Sequence, residues 1–263
     1  MRNNSEKKRI VIKLGTSTLA HSTGKLNIRR MTNLVRVISD LHNSGKEIIL
    51  VSSGAVGLGT GKLGLPSKPK ETKMKQAVAA VGQCELMHIY DDMFEKYSVT
   101  VGQILLTKAI INNPTHCENF KNTVESLVSM GVIPIVNEND SISIDELELE
   151  IGENDSLSAL VASLSSADLL LILSDIDGLY DCDPRTNPDA KPITYVEEIT
   201  AEIENAAGGA GSKLGTGGMS TKINAAKIAT EAGIDMGIMN GKDPELLYDL
   251  FENKEIGTLF KAK

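Results

Sequence analysis

The chain has 263 residues, a formal net charge of −8 at pH 7, 41% hydrophobic residues and 24% charged residues. This composition is typical of a globular protein and excludes a disordered chain, collagen and a coiled coil. The acidic balance argues against nucleic acid as a partner, and apolar runs such as Leu169 to Leu173 are far below the roughly 18 residues that cross a membrane.

The cysteine content and the amino terminus indicate a reducing compartment. Cys84, Cys117 and Cys182 lie far apart in the sequence and form no C-x-x-C pair. An odd number of cysteines without a signal peptide predicts free thiols. The basic residues at the start run directly into the first predicted strand, so we expect a cytoplasmic protein.

Short β-branched runs alternate with longer helical patterns along the whole chain. These runs are apolar on consecutive residues, which is typical of strands that are covered on both faces. The expected fold is therefore α/β, a three-layer αβα sandwich with a largely parallel central sheet. The predicted strands are Arg9 to Leu14, Lys46 to Val51, Thr100 to Leu106, Val132 to Val136, Leu169 to Leu173 and Ile234 to Met239.

Polar residues follow four of these strands. In open α/β sheets ligands bind outside the carboxyl ends of the strands, so these residues predict one polar edge that binds a ligand. The four segments are Lys13 to Ser17, Ser52 to Ala55, Asn137 to Asp140 and Ser174 to Gly178.

Lys13 interrupts the apolar run of the first predicted strand. Its ammonium group must reach solvent or meet an anion, because burying it unpaired is costly. The residue alone leaves both interpretations open. A phosphate bound at the same edge of the sheet would favour the contact with an anion.

Two common phosphate-binding motifs are excluded. Gly59 to Gly64 matches G-x-G-x-x-G, but it begins several residues after its strand and continues into Leu65 and Pro66, so it does not fit a Rossmann cofactor site. The Walker A spacing is also absent around Gly61 and Lys62.

Two aspartates flank an acidic segment in the middle of the chain. Asp155 precedes a predicted helix from Ser156 to Leu164 and fits an ordinary N-cap, and Asp140 fits a turn residue. Ser141 to Ile151 between them has no periodic pattern, which predicts a mobile loop near the site.

The segment from Gly208 to Lys222 is rich in glycine and leads into a predicted helix from Ile223 to Ala232. A flexible linker is one interpretation. However, Ser220 and Thr221 are good N-caps, which would place Lys222 in the first helical turn, where its charge opposes the helix macrodipole. A bound anion reverses that effect, so the segment predicts a phosphate cradle.

Together these segments resemble the amino acid kinase family, and within it the branch of glutamate kinases, along nearly the whole chain. The matching segments are Lys13 to Ser17, Val51 to Ala55, Asn137 to Asp140, Gly152 to Leu160 and Gly215 to Lys222. Ser174 to Arg185 resembles the nucleotide-side loop of many family members. The resemblance implies a carbamate kinase-like fold in a single domain over residues 1–263, with an acceptor lobe at about 1–165 and a nucleotide lobe at about 166–263. It also implies the short form, which lacks a PUA domain.

The resemblance further implies phosphorylation of the side-chain carboxylate of L-glutamate by ATP, the first step of proline biosynthesis. Lys13 and Lys222 would neutralise the transferring phosphoryl group, and Asp155 would hold both lysines. Ser53, Asp140 and Asn154 would bind glutamate. The implied ATP-binding residues are Lys13, Ser174, Asp175, Thr216, Gly217, Gly218, Met219, Ser220, Thr221 and Lys222.

Mg²⁺ is expected to arrive with ATP rather than in a fixed protein site, because it prefers phosphate oxygens. The resemblance implies a homo-oligomer and feedback inhibition by proline, with no nucleic acid or membrane partner. The alternatives are another phosphotransferase of this fold, acting on aspartate, acetylglutamate, carbamate or a nucleoside monophosphate, or a non-catalytic sensor of nucleotides or amino acids.

Overall fold

The computed structural model describes residues 3–19, 21, 25–107, 113–142, 153–184, 186–207 and 218–263. The strands are β1 (Arg9–Leu14), β2 (Glu47–Val51), β3 (Thr100–Leu106), β4 (Val132–Glu138), β5 (Leu169–Ser174), β6 (Leu179–Tyr180), β7 (Pro192–Ile193), β8 (Tyr195–Val196), β9 (Asp235–Asn240) and β10 (Thr258–Phe260). The helices are α1 (Thr16–Leu19), α2 (Ile28–Asn43), α3 (Ala55–Lys62), α4 (Thr72–Glu95), α5 (Pro114–Ser129), α6 (Glu153–Leu164), α7 (Ala201–Ala206), α8 (Met219–Glu231) and α9 (Leu246–Phe251).

The main sheet has the strand order β3-β4-β2-β1-β5-β9-β10-β8. Its neighbouring strands are parallel except for β9 and β10, which are antiparallel. The largely parallel sheet expected from the sequence is therefore confirmed. β4 continues two residues beyond its predicted end, because Asn137 and Glu138 pair with Leu105 and Leu106 of β3.

Helices cover both faces of the sheet. Alternate residues of β1 face opposite sides, so that Ile10 and Ile12 belong to one buried cluster and Val11 belongs to the other. The first cluster includes residues of α2, α4 and α9, and the second includes residues of α5, α6 and α8. This arrangement is the predicted three-layer sandwich. Among the helices that the structure describes, none is long and apolar enough to cross a bilayer.

Helices α3 and α4 pack with their backbones in direct contact. A Cβ atom added at Gly59 would lie 2.0 Å from the carbonyl oxygen of Val78, and one added at Gly82 would lie 1.7 Å from that of Ala55. Both distances are far shorter than any van der Waals contact. The two glycines therefore set how closely α4 approaches the start of α3, which follows the polar end of β2.

We expect Gly59→Ala to lower the free energy of unfolding by about 1–3 kcal/mol, because the helices must separate to accept the methyl group. Gly57→Ala in the same helix is the matched control, since its Cβ would meet only side-chain atoms at 3.8 and 3.9 Å. There alanine is expected to leave the free energy of unfolding unchanged or to raise it. Urea unfolding of both variants measures the difference, and equal stability would contradict the proposed close packing.

Candidate active site

Four polar segments meet at one edge of the sheet, as the sequence predicts. β4, β2, β1 and β5 are consecutive in the sheet and all run parallel. In the register, Lys13 near the end of β1 lies between Val51 of β2 and Ile172 of β5. The carboxyl ends of these strands therefore form one side of a common site.

The centre of this site is a buried carboxylate that binds two lysines. The Nζ atom of Lys13 lies 2.7 Å from Oδ1 of Asp155, and the Nζ atom of Lys222 lies 3.2 Å from Oδ2. The hydroxyl group of Thr221 donates a hydrogen bond of 2.8 Å to Oδ2. Asp155 is 1% exposed, and Lys222 is also buried. We call Lys13, Asp155, Thr221 and Lys222 the Asp155 cluster.

The two lysines come from opposite ends of the chain. Lys13 lies on β1, whereas Lys222 lies in the first turn of α8, as predicted. Asp155, which pairs with both, is the third residue of α6. A carboxylate in the first turn of a helix is favoured by the macrodipole, and a lysine there is disfavoured. The contact between the two helix starts therefore compensates the unfavourable position of Lys222.

Three predicted N-caps are wrong. α6 begins at Glu153, so Asp155 lies inside the helix instead of capping it. α8 begins at Met219 after the N-cap residue Gly218, so Ser220 and Thr221 also lie inside their helix. For Asp155 and Thr221 the physical reason is tertiary, because the carboxylate of Asp155 and the hydroxyl group of Thr221 are bound to each other across the two helices.

The charges of the Asp155 cluster determine the ionisation of its carboxyl group. Burial raises the pKa of Asp155, but the charges of Lys13 and Lys222 and the hydrogen bonds from Lys13 and Thr221 lower it by more. The net effect places the pKa of Asp155 below the usual value for an aspartate. Asp155 therefore stays anionic at neutral pH and keeps both ammonium groups oriented.

A second group of polar side chains adjoins the cluster on the β2 and β4 side. The Nδ2 atom of Asn154 lies 2.8 Å from the carbonyl oxygen of Ser52, 2.5 Å from Oγ of Ser53 and 3.3 Å from Oδ1 of Asn137. Asn154 precedes Asp155 on the same helical turn. Two predicted acceptor-binding residues, Ser53 and Asn154, are thus in direct contact beside the cluster.

Asp140, the third predicted acceptor-binding residue, follows β4 and lines a cavity of about 420 Å³. The residues around this cavity come from α3, α4, β3 and the end of β4. They are Ala55, Ala79, Ala80, Gln83, Cys84, Met87, Gln103, Leu105, Glu138, Asn139, Asp140 and Ser141.

No role was predicted for Gln83 or Tyr90, and Asn137 was predicted only as part of the polar segment after β4. Asn137 donates a hydrogen bond of 2.7 Å from its Nδ2 atom to Oε1 of Gln83. The hydroxyl group of the fully buried Tyr90 lies 2.9 Å from Oγ of Ser52, and burial raises the pKa of Tyr90. A signal was available for Gln83, which is a polar residue among alanine, valine and glycine on a long helix.

The predicted nucleotide side is only partly described. Ser174 ends β5, and its hydroxyl group donates a hydrogen bond of 3.2 Å to Asp175. The backbone N–H of Gly241 after β9 donates to the carbonyl oxygen of Ser174 at 2.8 Å. Gly218, Met219 and Ser220 lie at the start of α8. Thr216, Gly217 and most of the predicted mobile loop, residues 143–151, lie outside the described residues.

Comparison with known proteins gives one consistent family. The sequence model of the amino acid kinase family matches residues 8–240. A protein of Clostridium perfringens named glutamate 5-kinase is 57% identical over 260 residues, which cover 98% of this chain and 97% of that protein. A glutamate 5-kinase of Clostridium tetani is 54% identical, and the alignment covers 97% of this chain and 95% of that protein. A glutamate 5-kinase of Listeria monocytogenes is 52% identical, and the alignment covers 97% of this chain and 94% of that protein.

Solved structures with the same fold are more distant in sequence. UMP kinase from Bacillus anthracis superposes with a TM-score of 0.65 at 16% identity, covering 98% of this chain and 97% of that chain. A product complex of isopentenyl phosphate kinase from T. acidophilum superposes with a TM-score of 0.65 at 17% identity. The superposition covers 97% of this chain and 100% of that chain. At this identity the similarity establishes the fold alone.

Proposed function

The chain belongs to the amino acid kinase family, and from this we propose that it transfers the terminal phosphoryl group of ATP to the side-chain carboxylate of L-glutamate. The products are L-glutamyl 5-phosphate and ADP, and the reaction is the first step of proline biosynthesis. The relatives named glutamate 5-kinase support the choice of acceptor. The structural observation that carries the proposal is the contact of Lys13 and Lys222 with one buried carboxylate.

The acceptor needs no general base. A glutamate side chain is ionised at neutral pH because its pKa is about 4.3. One of its oxygens forms the new bond to phosphorus while the bond to the leaving oxygen of ADP breaks. The difficulty is charge, since an anion attacks a polyanion. Preorganised cations at the transferring group reduce this repulsion, and we assign this task to Lys13 and Lys222.

Asp155 is proposed to hold the two lysines in position. Without an anion between them, the ammonium groups of Lys13 and Lys222 would repel each other and turn away. The carboxylate has a different oxygen for each lysine, and Thr221 donates to the second oxygen. The positive groups are therefore in place before the substrates bind, which avoids reorganisation during the reaction.

Ser53 and Asn154 are proposed to hold the reacting end of glutamate, and Asp140 its ammonium group. Because Asn154 and Asp155 are consecutive on α6, the acceptor site and the lysine-binding carboxylate share one helical turn. We expect Ser53→Ala to raise the KM for glutamate about 10-fold through the loss of one hydrogen bond, with the KM for ATP unchanged. Steady-state kinetics tests this against Ser126→Ala on α5, where no change is expected.

ATP is proposed to bind across the carboxyl ends of β5 and β9. The backbone N–H groups at the start of α8, next to Gly218, Met219 and Ser220, suit the phosphates because a helix N-terminus attracts anions. We assign Ser174, Asp175, Thr216, Gly217 and Thr221 to the same nucleotide site. In this proposal residues 1–165 supply most of the acceptor lobe, and residues 166–263 supply the nucleotide lobe.

We propose that Mg²⁺ is not held in a dedicated site of the protein. Both oxygens of Asp155 are already bound by lysines and Thr221, and among the described residues no group of three or more His, Cys, Asp or Glu could hold a metal ion. The arrangement suits Mg²⁺ that is bound to the phosphates of ATP. Such an ion would neutralise part of their charge. We also propose a cytoplasmic homo-oligomer that proline inhibits.

An assay that traps the product tests the proposed reaction. Hydroxylamine converts an acyl phosphate into a hydroxamate, which gives a coloured iron complex. Purified protein with Mg-ATP and L-glutamate is expected to form the hydroxamate, and replacing L-glutamate with L-aspartate is expected to abolish the signal. An equal signal with aspartate, or none with any carboxylate acceptor, would refute the assignment.

A further inference from the structure

The cavity beside the acceptor site contains a buried polar group that the proposed mechanism does not use. Gln83 lies on α4, is 9% exposed and lines this cavity. Its oxygen accepts a hydrogen bond from Asn137, as described above. Within the part of the chain that the structure describes, no acceptor is found for its Nε2 atom, which is buried.

The orientation of this amide follows from a chain of hydrogen bonds that can run in only one direction. The carbonyl oxygen of Ser52 can only accept, so the atom of Asn154 beside it must be the amide nitrogen. That nitrogen also faces the oxygen of Asn137, at 3.3 Å. The amide nitrogen of Asn137 must then point to the oxygen of Gln83, at 2.7 Å. We call Asn154, Asn137 and Gln83 the amide relay.

The amide relay therefore ends in an unused N–H group. Reversing the amide of Gln83 would place two donors, its own nitrogen and that of Asn137, against each other. A buried donor without an acceptor is unfavourable, and buried polar groups without partners are rare in folded proteins. Because the Gln83 side chain lines the cavity, a rotation of its buried amide toward the cavity would let a ligand supply the missing acceptor.

The rest of the cavity indicates what this ligand group is. When the side-chain carboxylate of glutamate lies at Ser53, Asn154 and the lysines, its α-carbon is turned away from the phosphoryl group. The carboxylates of Glu138 and Asp140 at the cavity wall suit the α-ammonium group. The α-carboxylate needs a donor instead, because it would be repelled by these acidic groups.

We propose that Gln83 is a specificity-determining residue that donates its Nε2–H to the α-carboxylate of the acceptor amino acid. The inference rests on the proposed function and extends it to the end of the substrate that does not react. Binding of the α-carboxylate there completes the amide relay, which connects the two ends of the substrate through Asn137 and Asn154. An acceptor without an α-carboxylate loses this contact.

Gln83→Glu separates a direct contact from a purely structural role. The introduced carboxylate keeps an oxygen that accepts from Asn137, but it lacks the N–H group and carries a negative charge. We expect the KM for L-glutamate to rise about 10- to 100-fold, since a hydrogen bond to a charged group is lost. The kcat and the KM for ATP are expected to change less than about threefold, because the amide relay up to Asn137 is retained.

A substrate analogue provides the reciprocal test. The α-carboxamide of L-glutamate keeps the side-chain carboxylate and the α-ammonium group but replaces the α-carboxylate with a neutral amide, whose NH₂ group can donate to the introduced carboxylate. The wild-type protein is expected to prefer L-glutamate, and Gln83→Glu to prefer the α-carboxamide. Gln76→Glu, which adds the same charge on the same helix at a residue that does not line the cavity, is the matched control and is expected to keep the wild-type preference.

An unchanged KM and an unchanged preference in Gln83→Glu would overturn the inference. If that variant fails to fold, Gln83→Met tests the inference without a charge. A raised KM for glutamate with retained kcat then supports it, and an unchanged KM refutes it. Failure of the proposed function itself is recognised separately, because the wild-type protein would then give no hydroxamate with L-glutamate.

Discussion

Lys222→Met is expected to lower kcat by at least about 100-fold, the usual effect of removing one preorganised donor from a transition state. The methionine keeps most of the length of the side chain but removes the charge at the transferring phosphoryl group. Asp155 retains Lys13 and Thr221 as partners. The fold is therefore expected to remain intact, so that the loss appears in turnover and not in the amount of folded protein.

Lys227→Met is the matched control for this experiment. Lys227 lies on the same helix, α8, and its ammonium group pairs with Glu204 at 2.8 Å on the surface. An exposed ion pair contributes about 0–1 kcal/mol, so neither turnover nor stability should change much. Hydroxamate assays with both variants give the comparison. A kcat of Lys222→Met within about threefold of the wild type would contradict the assigned role.

Asp155→Ala is expected to lower both stability and turnover. It leaves Lys13 and Lys222 close together without the carboxylate that pairs with both, and breaking a buried ion pair from one side costs about 3–5 kcal/mol. The lysines are also expected to lose their orientation, with a loss of kcat of about 100-fold or more. Asp249→Ala, which removes a surface partner of Lys254, is the control and should cost less than about 1 kcal/mol.

The pH dependence of Asp155→Asn tests the charge of Asp155 directly. A carboxyl group whose pKa is lower in the folded state stabilises the protein fully above the pKa of the unfolded state, about 3.9. This contribution is lost as the pH falls through the lower folded value. The stability difference between wild type and Asp155→Asn is therefore expected to be constant near pH 7 and to shrink below about pH 4. Urea unfolding at several pH values measures it, and a constant difference down to pH 3 would contradict the assignment.

The main strands could be predicted because their burial on both faces leaves a mark in the sequence. β1 contains the apolar run Ile10 to Ile12 and β5 the run Leu169 to Leu173, and the bounds of both strands agree with the prediction to within one residue. β6, β7 and β8 have two residues each, and β10 has three, which is too short for any periodic pattern. Their pairing depends on contacts between distant segments.

The charged part of the site was easier to predict than its neutral part. A lysine within an apolar strand requires an explanation, so Lys13 could be found from the sequence, and Lys222 followed from its place in a glycine-rich turn. Gln83 and Asn137 are uncharged and lie 54 positions apart. Nothing local indicates that their amides meet. The N-cap assignments of Asp155 and Thr221 failed because a local preference for helix ends does not reveal a buried contact between two helices, and that of Ser220 failed because α8 begins one residue earlier, at Met219.

The pairing of the first strand with β5 has a consequence for synthesis of the protein on the ribosome. Arg9 at the start of β1 is hydrogen-bonded to Asp168, 159 positions later, so the central strand emerges long before its neighbour exists. Until then Ile10, Val11 and Ile12 lack half of their sheet, and a nascent segment of this kind is prone to aggregation. We expect chaperones that bind apolar nascent chains to increase the yield of folded protein, chiefly by protecting this first strand.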